Sequence, residues 1–314
     1  MSLALVKYLP TSGTIPFIRG RFIALGLSAL FIAFSMFEFA TVGINFGIDF
    51  RGGIQTEVVA DESTAIEDLR ATANALGLGE ARVQGAGSAG EGLTTYLISL
   101  PLQEGEGLEG EAAQNDAREA LEIALEATYP TIDMRGTTVI GGAVSGELII
   151  TGITAIGVAL FLMLVYIWFR FEWQYSVGAI IALTHDVIAT VGMFSLTQMT
   201  FDLATVAAIL TIVGYSMNDT VVVYDRIREN LRKYKRKPLQ EVLDLSINNT
   251  LSRTILTSVT TLVALISLYL IGGTALKGFA FAMIWGVLIG TFSSIFVAAP
   301  ILLFTNVQRD SSDS

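Results

Sequence analysis

The sequence predicts an α-helical membrane protein with six transmembrane helices and a folded α+β domain between the first and second helices. Of its 314 residues, 52% are hydrophobic and only 15% are charged, a composition unusual for a soluble chain of this length. Six apolar runs approach or exceed the ~20 residues that a helix needs to cross the ~30 Å hydrocarbon core of a bilayer. One long hydrophilic stretch, 43–145, separates the first run from the other five.

The first predicted helix, 22–42, follows a short basic segment, 1–21. Its apolar stretch is longer than the ~7–15 residues of a signal-peptide core, and no small-x-small cleavage site follows it. We therefore predict an uncleaved signal anchor with a cytoplasmic tail in front of it, in preference to a cleaved signal peptide.

The hydrophilic stretch 43–145 contains 17 acidic and 5 basic residues, a net charge of −12. Its apolar pattern predicts four strands and two helices in the order strand 54–59, helix 63–76, strand 81–84, strand 94–99, helix 111–128 and strand 132–139. This βαββαβ order is typical of a ferredoxin-like domain, in which two helices cover one face of a four-stranded sheet. The acidity of the domain argues against a nucleic-acid partner, because such a partner requires a basic surface.

The remaining five predicted helices lie within 146–307, and a short tail, 308–314, follows them. Three of the runs contain no charged residue and two contain ionisable groups. The charge-free runs are 148–169, 254–276 and 278–308, and the other two are 174–197 and 203–224.

The distribution of basic residues predicts the orientation, because short loops rich in Lys and Arg stay in the cytoplasm. Arg19 and Arg21 precede the first helix, Arg170 lies in a short turn, and further basic residues crowd the predicted loop 225–253. With six helices, all of these fall on one side, and both termini are predicted to be cytoplasmic. Two interpretations of the basic segment 225–237 stay open: contact with anionic lipid headgroups, or a charged face in solvent. Pro238 is predicted to start an amphipathic helix that reaches about Leu251.

No motif for chemical catalysis is present. The chain has one His and no Cys, and it lacks both a Walker-type phosphate loop and a GxGxxG turn in a βαβ unit. We predict that the protein is not an enzyme, has no catalytic residues, and binds neither a metal ion nor a cofactor. The informative residues are the polar ones inside the predicted helices.

Four ionisable side chains in these helices are candidates for moving protons. His185 and Asp186 lie about ten residues into the third helix, near the middle of the membrane at ~1.5 Å per residue. Asp219 lies nearer the cytoplasmic end of the fourth helix, and Arg253 opens the fifth on the same side, so these two could pair. A carboxylate that gains and loses an arginine partner can release and take up a proton, which is the chemistry of a proton relay.

Two other interpretations of these residues stay open. Asp219 and Arg253 could form a static ion pair between helices, and His185 could be a neutral hydrogen-bonding group. Hydroxyls that could line a path lie one helical turn away, at Thr257 after Arg253 and at Tyr215 or Ser216 before Asp219.

The last helix carries a GxxxG pattern at Gly286 and Gly290, with Ser293 and Ser294 close behind. Small residues at this spacing let two membrane helices approach closely. We interpret the pattern as a packing surface.

Five segments occur in order along the chain: GIDFRGG (47–53), GGAVSGEL (141–148), THDV (184–187), GYSMNDTVVVYDRIREN (214–230) and LSRTILTSVTTL (251–262). Together they resemble the SecF members of the SecD/SecF family of protein translocase subunits. The resemblance implies an RND-like membrane fold in the bacterial inner membrane and a partner, SecD, that supplies the other six-helix half. It further implies association with the SecYEG channel, with YajC and YidC as further candidate partners, and an unfolded preprotein as cargo.

The resemblance assigns roles to the ionisable side chains one by one. Asp219 matches the family's membrane-embedded acid, and Arg253 matches the arginine of the following helix. Asp186 matches the acid of the pair that it forms with His185. The implied energy source is the proton gradient, which members of the family use to promote late stages of protein export.

Asp49, Gly52 and Gly53 match the family's D-F-x-G-G motif, whose glycines allow a tight path from the first helix to the first strand. Two alternatives to the export function stay open. One is a proton-coupled transporter of small molecules from the same superfamily, and the other is a non-catalytic scaffold of the translocase.

Overall fold

The computed structural model describes residues 15–90, 92–105, 107–305 and 307. The chain forms two compact units. The membrane unit comprises the described residues within 1–45, 155–199 and 204–314, and the sheet unit comprises those within 46–154 and 200–203. The predicted C-terminal tail, 308–314, and residues 1–14 of the predicted N-terminal tail lie outside the described residues.

The sheet unit contains the predicted order of four strands and two main helices. Its elements are α2 (Ile48–Arg51), β1 (Gly53–Asp61), α3 (Ile66–Asn74), β2 (Arg82–Gly90), β3 (Leu93–Leu100), α4 (Gly107–Thr128) and β4 (Asp133–Ile140). The strands form one antiparallel sheet in the order β2-β3-β1-β4. The predicted four-stranded sheet is therefore present, and the structure shows that it is antiparallel; the assignment to the ferredoxin-like class stays a prediction.

The core of the sheet unit lies between one face of the sheet and the helices α3 and α4. Ile54 and Val58 on β1 and Ile98 on β3 are fully buried against Leu69 and Leu121 of the two helices. Alternate residues of a strand point to the same face, so the period-two pattern places these side chains together. Burying each of them fully contributes about 1.5–3 kcal/mol.

Strand β2 extends further than the sequence predicts, to Gly90. The segment after residue 84 is rich in glycine and has no apolar alternation, so it reads as a loop from sequence alone. In the structure it continues to pair with β3, with irregularities between Gly85 and Gly87 and between Ser88 and Gly90. Bulges of this kind let a glycine-rich edge strand stay paired.

The membrane unit consists of long helices. They are α1 (Arg21–Thr41), α5 (Gly142–Arg170), which begins in the sheet unit, α6 (Trp173–Thr197), α7 (Leu203–Lys233), α8 (Leu239–Ile271), α9 (Thr274–Ser293) and α10 (Ala299–Phe304). A 3-10 turn, Phe17–Gly20, precedes α1, and a π-helical turn, Ser294–Ala298, joins α9 to α10. Within the described residues, six helical segments are long and apolar enough to cross a membrane. The predicted number of spans is confirmed.

The predicted basic loop 225–253 is mostly helical. Helix α7 continues to Lys233, and α8 begins at Leu239 after Pro238 and runs unbroken to Ile271. The amphipathic helix predicted from Pro238 is thus the first part of the fifth span. No residue between Pro238 and Gly272 breaks a helix, and basic side chains in the last turns of α7 interact favourably with its dipole.

The boundary between the last two spans lies earlier than predicted. The charge-free runs place it at Lys277, whereas α8 ends before Gly272 and Gly273. Gly273 has a φ of +75°, a conformation that glycine adopts readily and that ends a helix.

The basic stretches of the chain lie at one end of the membrane unit. Both carboxylate oxygens of Asp225 accept hydrogen bonds from Arg170 at 2.8 Å. The backbone N–H of Ile18, which directly precedes Arg19, donates to Asp244 of α8 at 2.8 Å. These contacts group the three basic stretches at the same end, as the six-span arrangement requires.

The interior of the membrane unit is formed mainly by α6, α7 and the last helical segment, α9 to α10. Helices α1 and α5 instead expose many large apolar side chains. These include Phe22, Leu30, Ile150, Ile153, Phe161 and Trp168. Such apolar surface belongs in contact with lipid or with another membrane helix. On α6 and α7, by contrast, polar side chains face the interior of the unit.

Candidate functional site

Asp186 lies on α6 and is buried, with 1% of its surface exposed. Its Oδ2 accepts a hydrogen bond from the hydroxyl of Ser293 at 2.8 Å and another from the hydroxyl of Ser216. Its Oδ1 lies 3.0 Å from Nδ1 of the neighbouring His185. A carboxyl group taken out of water needs such partners, because an unpaired buried polar group is costly.

His185 holds Asp186 from one side. Its ring is 6% exposed and stacks on Phe292 with centroids 6.4 Å apart. When Asp186 is ionised, Nδ1 of the ring is the donor of their hydrogen bond. The ring also borders a cavity of about 400 Å³ lined mainly by aliphatic side chains of α1, α6 and the π turn. The side of the ring that faces this cavity therefore lies in a largely apolar environment.

Asp219 lies on α7 and is also buried. Its Oδ1 accepts a hydrogen bond from the hydroxyl of Thr254 on α8 at 2.7 Å. Its Oδ2 accepts one from the hydroxyl of Ser294, the first residue of the π turn, at 2.8 Å. Three helical segments thus meet at this carboxylate.

The predicted contact between Asp219 and Arg253 is not an ion pair in this structure. The guanidinium of Arg253 attracts the carboxylate from further away, and the side chain is exposed. Successive residues of a helix point about 100° apart, so Thr254 and Arg253 cannot both face Asp219. The structure places Thr254 in that position.

Close packing of the last helix brings its serines to the two acids. A Cβ atom on Gly286 would collide with the side chain of Ile212 on α7, and one on Gly290 would lie 3.0 Å from Cβ of Ser216. The packing role predicted for the GxxxG pattern is confirmed. Ser293, one turn later, then reaches Asp186.

The π turn that starts at Ser294 has a local cause. Pro300 follows it and has no backbone N–H, so the regular α-helical hydrogen bond to residue 296 cannot form. The chain widens into a π turn instead, and such turns are frequent at functional sites.

Sequence reasoning identified the acids of this site but not most of their partners. The sequence predicts that Ser216 lies near Asp219, whereas its hydroxyl contacts Asp186. It also predicts that Thr257 lines a proton path, whereas that hydroxyl donates to carbonyl oxygens of its own helix. Sequence reasoning interpreted Ser293 and Ser294 only as small residues, and two adjacent hydroxyls in an apolar helix were the available signal.

The segment 46–53, which holds the D-F-x-G-G match, is anchored on residues 200–203. Oδ2 of Asp49 accepts a hydrogen bond from the backbone N–H of Leu203, the first residue of α7, at 2.9 Å. The first N–H groups of a helix have no partner within it, so this carboxylate caps α7 and interacts favourably with its dipole. Phe46 and Phe201 pack edge to face at 5.8 Å beside it.

The two glycines of the motif have backbone conformations that other residues avoid. Gly52 has a φ of +70° and Gly53 a φ of +119°. A Cβ atom on Gly53 would also collide with the carbonyl oxygen of Leu100. Next to them, partial burial and then the positive charge of Arg82 lower the pKa of Arg51.

The site combines ionisable side chains with hydroxyl groups. Asp186, His185 and Asp219 are ionisable, and the surrounding hydroxyls can donate to an ionised carboxylate or accept from a protonated one. Among the described residues, no three His, Cys, Asp or Glu side chains are grouped so as to hold a metal ion.

Comparison with known families decides where the chain belongs. The family of protein export membrane proteins SecD/SecF matches residues 120–308 through its C-terminal region, and the SecD/SecF GG motif matches residues 39–64. This chain belongs to the SecD/SecF family. Within it, the similarity is to SecF: the chain is 43% identical to protein translocase subunit SecF of Rhodobacter capsulatus, over 97% of this chain and 93% of that protein.

Other relatives and solved structures agree with this assignment. SecF of Cereibacter sphaeroides is 41% identical, and protein translocase subunit SecDF of Brucella abortus is 40% identical over 98% of this chain. The crystal structure of SecDF from Thermus thermophilus, a translocon-associated membrane protein, matches with a TM-score of 0.84 and 33% identity over 95% of this chain. SecDF in its super-membrane-facing form gives a TM-score of 0.63.

The chain spans almost the whole length of the SecF relatives but only 39% of the Brucella SecDF protein and 39% of the Thermus SecDF chain. Together with the six apolar helices, the SecF assignment makes it a multi-pass protein of the bacterial inner membrane and a member of the protein-export machinery.

Proposed function

We propose that this SecF-family chain acts with SecD to couple the proton motive force to late steps of preprotein export across the inner membrane. The observation that carries the proposal is the pair of buried carboxylates, Asp186 and Asp219, joined by hydroxyl groups to neighbouring helices. Ionisable groups at such positions are costly and mark ion or proton pathways. The proposed role is transport, and its energy source is the proton gradient rather than a bound cofactor.

Protonation of Asp219 is the proposed driving event. An ionised carboxylate is a stronger acceptor than a protonated one, so gain of a proton weakens the bonds from Thr254 and Ser294. Loss of the proton strengthens them and attracts Arg253. Each charge moved through ~100 mV supplies ~2.3 kcal/mol, enough to bias two arrangements of α7, α8 and the last helix.

The proposed orientation places the basic end of the membrane unit in the cytoplasm, with both termini. The grouping of Arg170 with Asp225 and of Ile18 with Asp244 supports one basic side. The sheet unit then belongs to the extracytoplasmic side, where an exported chain emerges.

The proposed partners are SecD, the SecYEG channel and the unfolded preprotein, with YajC and YidC as further candidates. The similarity of this chain to 39% of longer SecDF proteins supports SecD as a fused or separate partner. The apolar surface of α1 and α5 offers area for lipid or for a partner's helices.

Export of a preprotein into vesicles that contain this chain, SecD and the channel tests the proposal. We expect Asp219→Asn to abolish the increase in export caused by an imposed proton gradient and to leave the export seen without a gradient unchanged. Asparagine is close to aspartic acid in size and has one acceptor oxygen and a donor group, but it carries no titratable proton. The matched control is Glu38→Gln, which removes an acid from α1, outside the hydroxyl cluster.

Assembly with SecD is measured in the same vesicles. If Asp219→Asn assembles normally and retains the full gradient-dependent increase, Asp219 is not part of energy coupling and a scaffold role explains the chain better. If both Asp219→Asn and Glu38→Gln abolish the increase, the effect is not specific to the cluster, and the proposal is contradicted.

A further inference from the structure

Two adjacent serines contact two different buried acids. Ser293, the last residue of α9, donates to Asp186 at 2.8 Å, and Ser294, the first residue of the π turn, donates to Asp219 at 2.8 Å. Neighbouring residues on a helix point about 100° apart, so a single serine could not serve both acids. Because the two serines are adjacent, a single peptide unit connects the residue that binds Asp186 to the residue that binds Asp219.

Each of these hydroxyls has a second acceptor in its own helix. The oxygen of Ser293 lies 3.2 Å from the carbonyl oxygen of Gly290, and that of Ser294 lies 3.0 Å from the carbonyl oxygen of Thr291. A serine hydroxyl carries one hydrogen and donates it to one acceptor at a time. The bond to the acid and the bond to the helix are therefore alternatives.

The protonation state of each acid selects between these two bonds. An ionised carboxylate is the stronger acceptor and draws the hydroxyl hydrogen to itself. A protonated carboxyl group can donate to the serine oxygen, which frees the hydroxyl hydrogen for the carbonyl of Gly290 or Thr291. Each proton that binds or leaves thus changes the hydrogen bonding of the helical turn in front of the π turn.

We propose that Ser293 and Ser294 are positioning residues that make the ionisation of Asp186 and that of Asp219 depend on each other. This inference rests on the proposed function of the site. The link is the last helix at the π turn, where the missing N–H of Pro300 leaves the backbone less firmly bonded than in a regular α-helix. Release of one serine from its acid shifts the turn that holds the other serine.

Other titratable or charged groups near the acids remain in place when the serines are changed. His185 contacts Asp186, Arg253 attracts Asp219, and the hydroxyl of Tyr215 lies buried one turn before Asp219. Variants at the two serines alter hydroxyl groups alone and keep the charges of the site.

The test follows the infrared absorption of the protonated carboxyl groups during a pH titration of the full chain reconstituted with SecD in lipid vesicles. Asp186→Asn and Asp219→Asn assign the two bands. In the Ser294→Ala variant, we expect the titration midpoint of Asp219 to lie about one pH unit higher than in the unmodified protein. This is the size of effect expected when an ionised group loses one hydrogen bond. Ser294→Thr, which keeps the hydroxyl, restores the parent titration.

The control is Ser195→Ala. Ser195 is equally buried, but its hydroxyl donates to the backbone oxygen of Gly43 rather than to an acid. We expect it to move neither band. Ser293→Ala supplies the same test from the side of Asp186, so the inference stays testable if Ser294→Ala does not assemble.

Mutual dependence is measured by the change that Asp186→Asn causes in the titration of Asp219. We expect Ser293→Ala combined with Ser294→Ala to reduce that change by at least half. No change in the parent, or one that persists undiminished without the two hydroxyls, would overturn the inference.

This outcome is distinguishable from failure of the proposed function. If Asp219→Asn abolishes gradient-driven export while the serine variants leave both titrations unaltered, only the role of the serines is wrong. If Asp219→Asn leaves gradient-driven export intact, the coupling function itself is wrong.

Discussion

Asp219 is held by neutral hydroxyl groups and not by a cation. Its two oxygens accept from Thr254 and Ser294, and Arg253 acts on it without forming an ion pair. A static ion pair would tie the carboxylate to its charged form, because removing one partner of a buried pair is strongly unfavourable. Hydroxyl partners tolerate both protonation states, which suits a group that must take up and release a proton.

At the residue scale, we expect Thr254→Val to lower gradient-driven export by about tenfold. The valine keeps the shape of threonine but removes one hydrogen bond to the ionised carboxylate of Asp219. The rate of export into vesicles under an imposed gradient is the measurement.

Thr257→Val is the matched control for this prediction, because Thr257 is exposed and its hydroxyl bonds only to carbonyl oxygens of its own helix. Its effect should stay within about twofold, as for most surface substitutions. Equal losses in the two variants would show that the contact with Asp219 is not what matters.

At the scale of elements, the site depends on how closely the last helix approaches α7. Gly286 and Gly290 provide the close contact, with Ile212 and Ser216 on the facing helix. In a membrane, where apolar side chains gain little by leaving lipid, such small-residue contacts supply much of the packing energy. The same contact brings Ser293 to Asp186.

We expect Gly286→Ala to lower the stability of the protein by about 1–3 kcal/mol, because the new methyl group collides with the side chain of Ile212. Thermal unfolding of the purified chain in detergent measures the change. Gly157→Ala on α5 is the control. A Cβ atom there has no neighbour within 4 Å, and alanine favours a helix over glycine by up to about 1 kcal/mol. A Gly286→Ala protein as stable as the control would refute the packing role.

At the scale of the whole molecule, charge is distributed very unevenly. Residues 43–145 carry 17 acidic and 5 basic residues, whereas the rest of the chain holds 12 of the 29 acidic and 14 of the 19 basic ones. Basic residues near membrane helices are retained in the cytoplasm, while acidic ones have little influence on orientation. The asymmetry supports an acidic sheet unit outside and a basic end inside.

We expect an impermeant thiol reagent applied to intact cells to label Ser88→Cys and not Arg236→Cys. Both side chains are exposed, one on β2 and the other in the turn between α7 and α8. The chain has no cysteine of its own, so each variant carries one reactive site. Permeabilised cells should show labelling at both positions. Labelling of Arg236→Cys in intact cells would contradict the proposed orientation.

Local patterns in the sequence determined the membrane spans, the order of elements in the sheet unit and the candidate acids. Apolar runs long enough to cross a bilayer predicted the six spans. The apolar pattern within 43–145 predicted the order of strands and helices. Both features could be predicted because they depend on residues that are neighbours along the chain. The same reasoning singled out Asp186 and Asp219, since an acid in an apolar helix is conspicuous. The glycine-rich part of β2 was missed because it has no such pattern.

Only the tertiary structure decided which groups these acids contact. Whether Arg253 or Thr254 faces Asp219 depends on the rotation of α8 about its axis, and the reach of Ser293 and Ser294 depends on the packing of Gly286 and on a π turn. These contacts join side chains that are 35, 75 and 107 residues apart along the chain. Hydrophobic periodicity does not specify such contacts, because it identifies the buried face of a helix but not the residue that it meets.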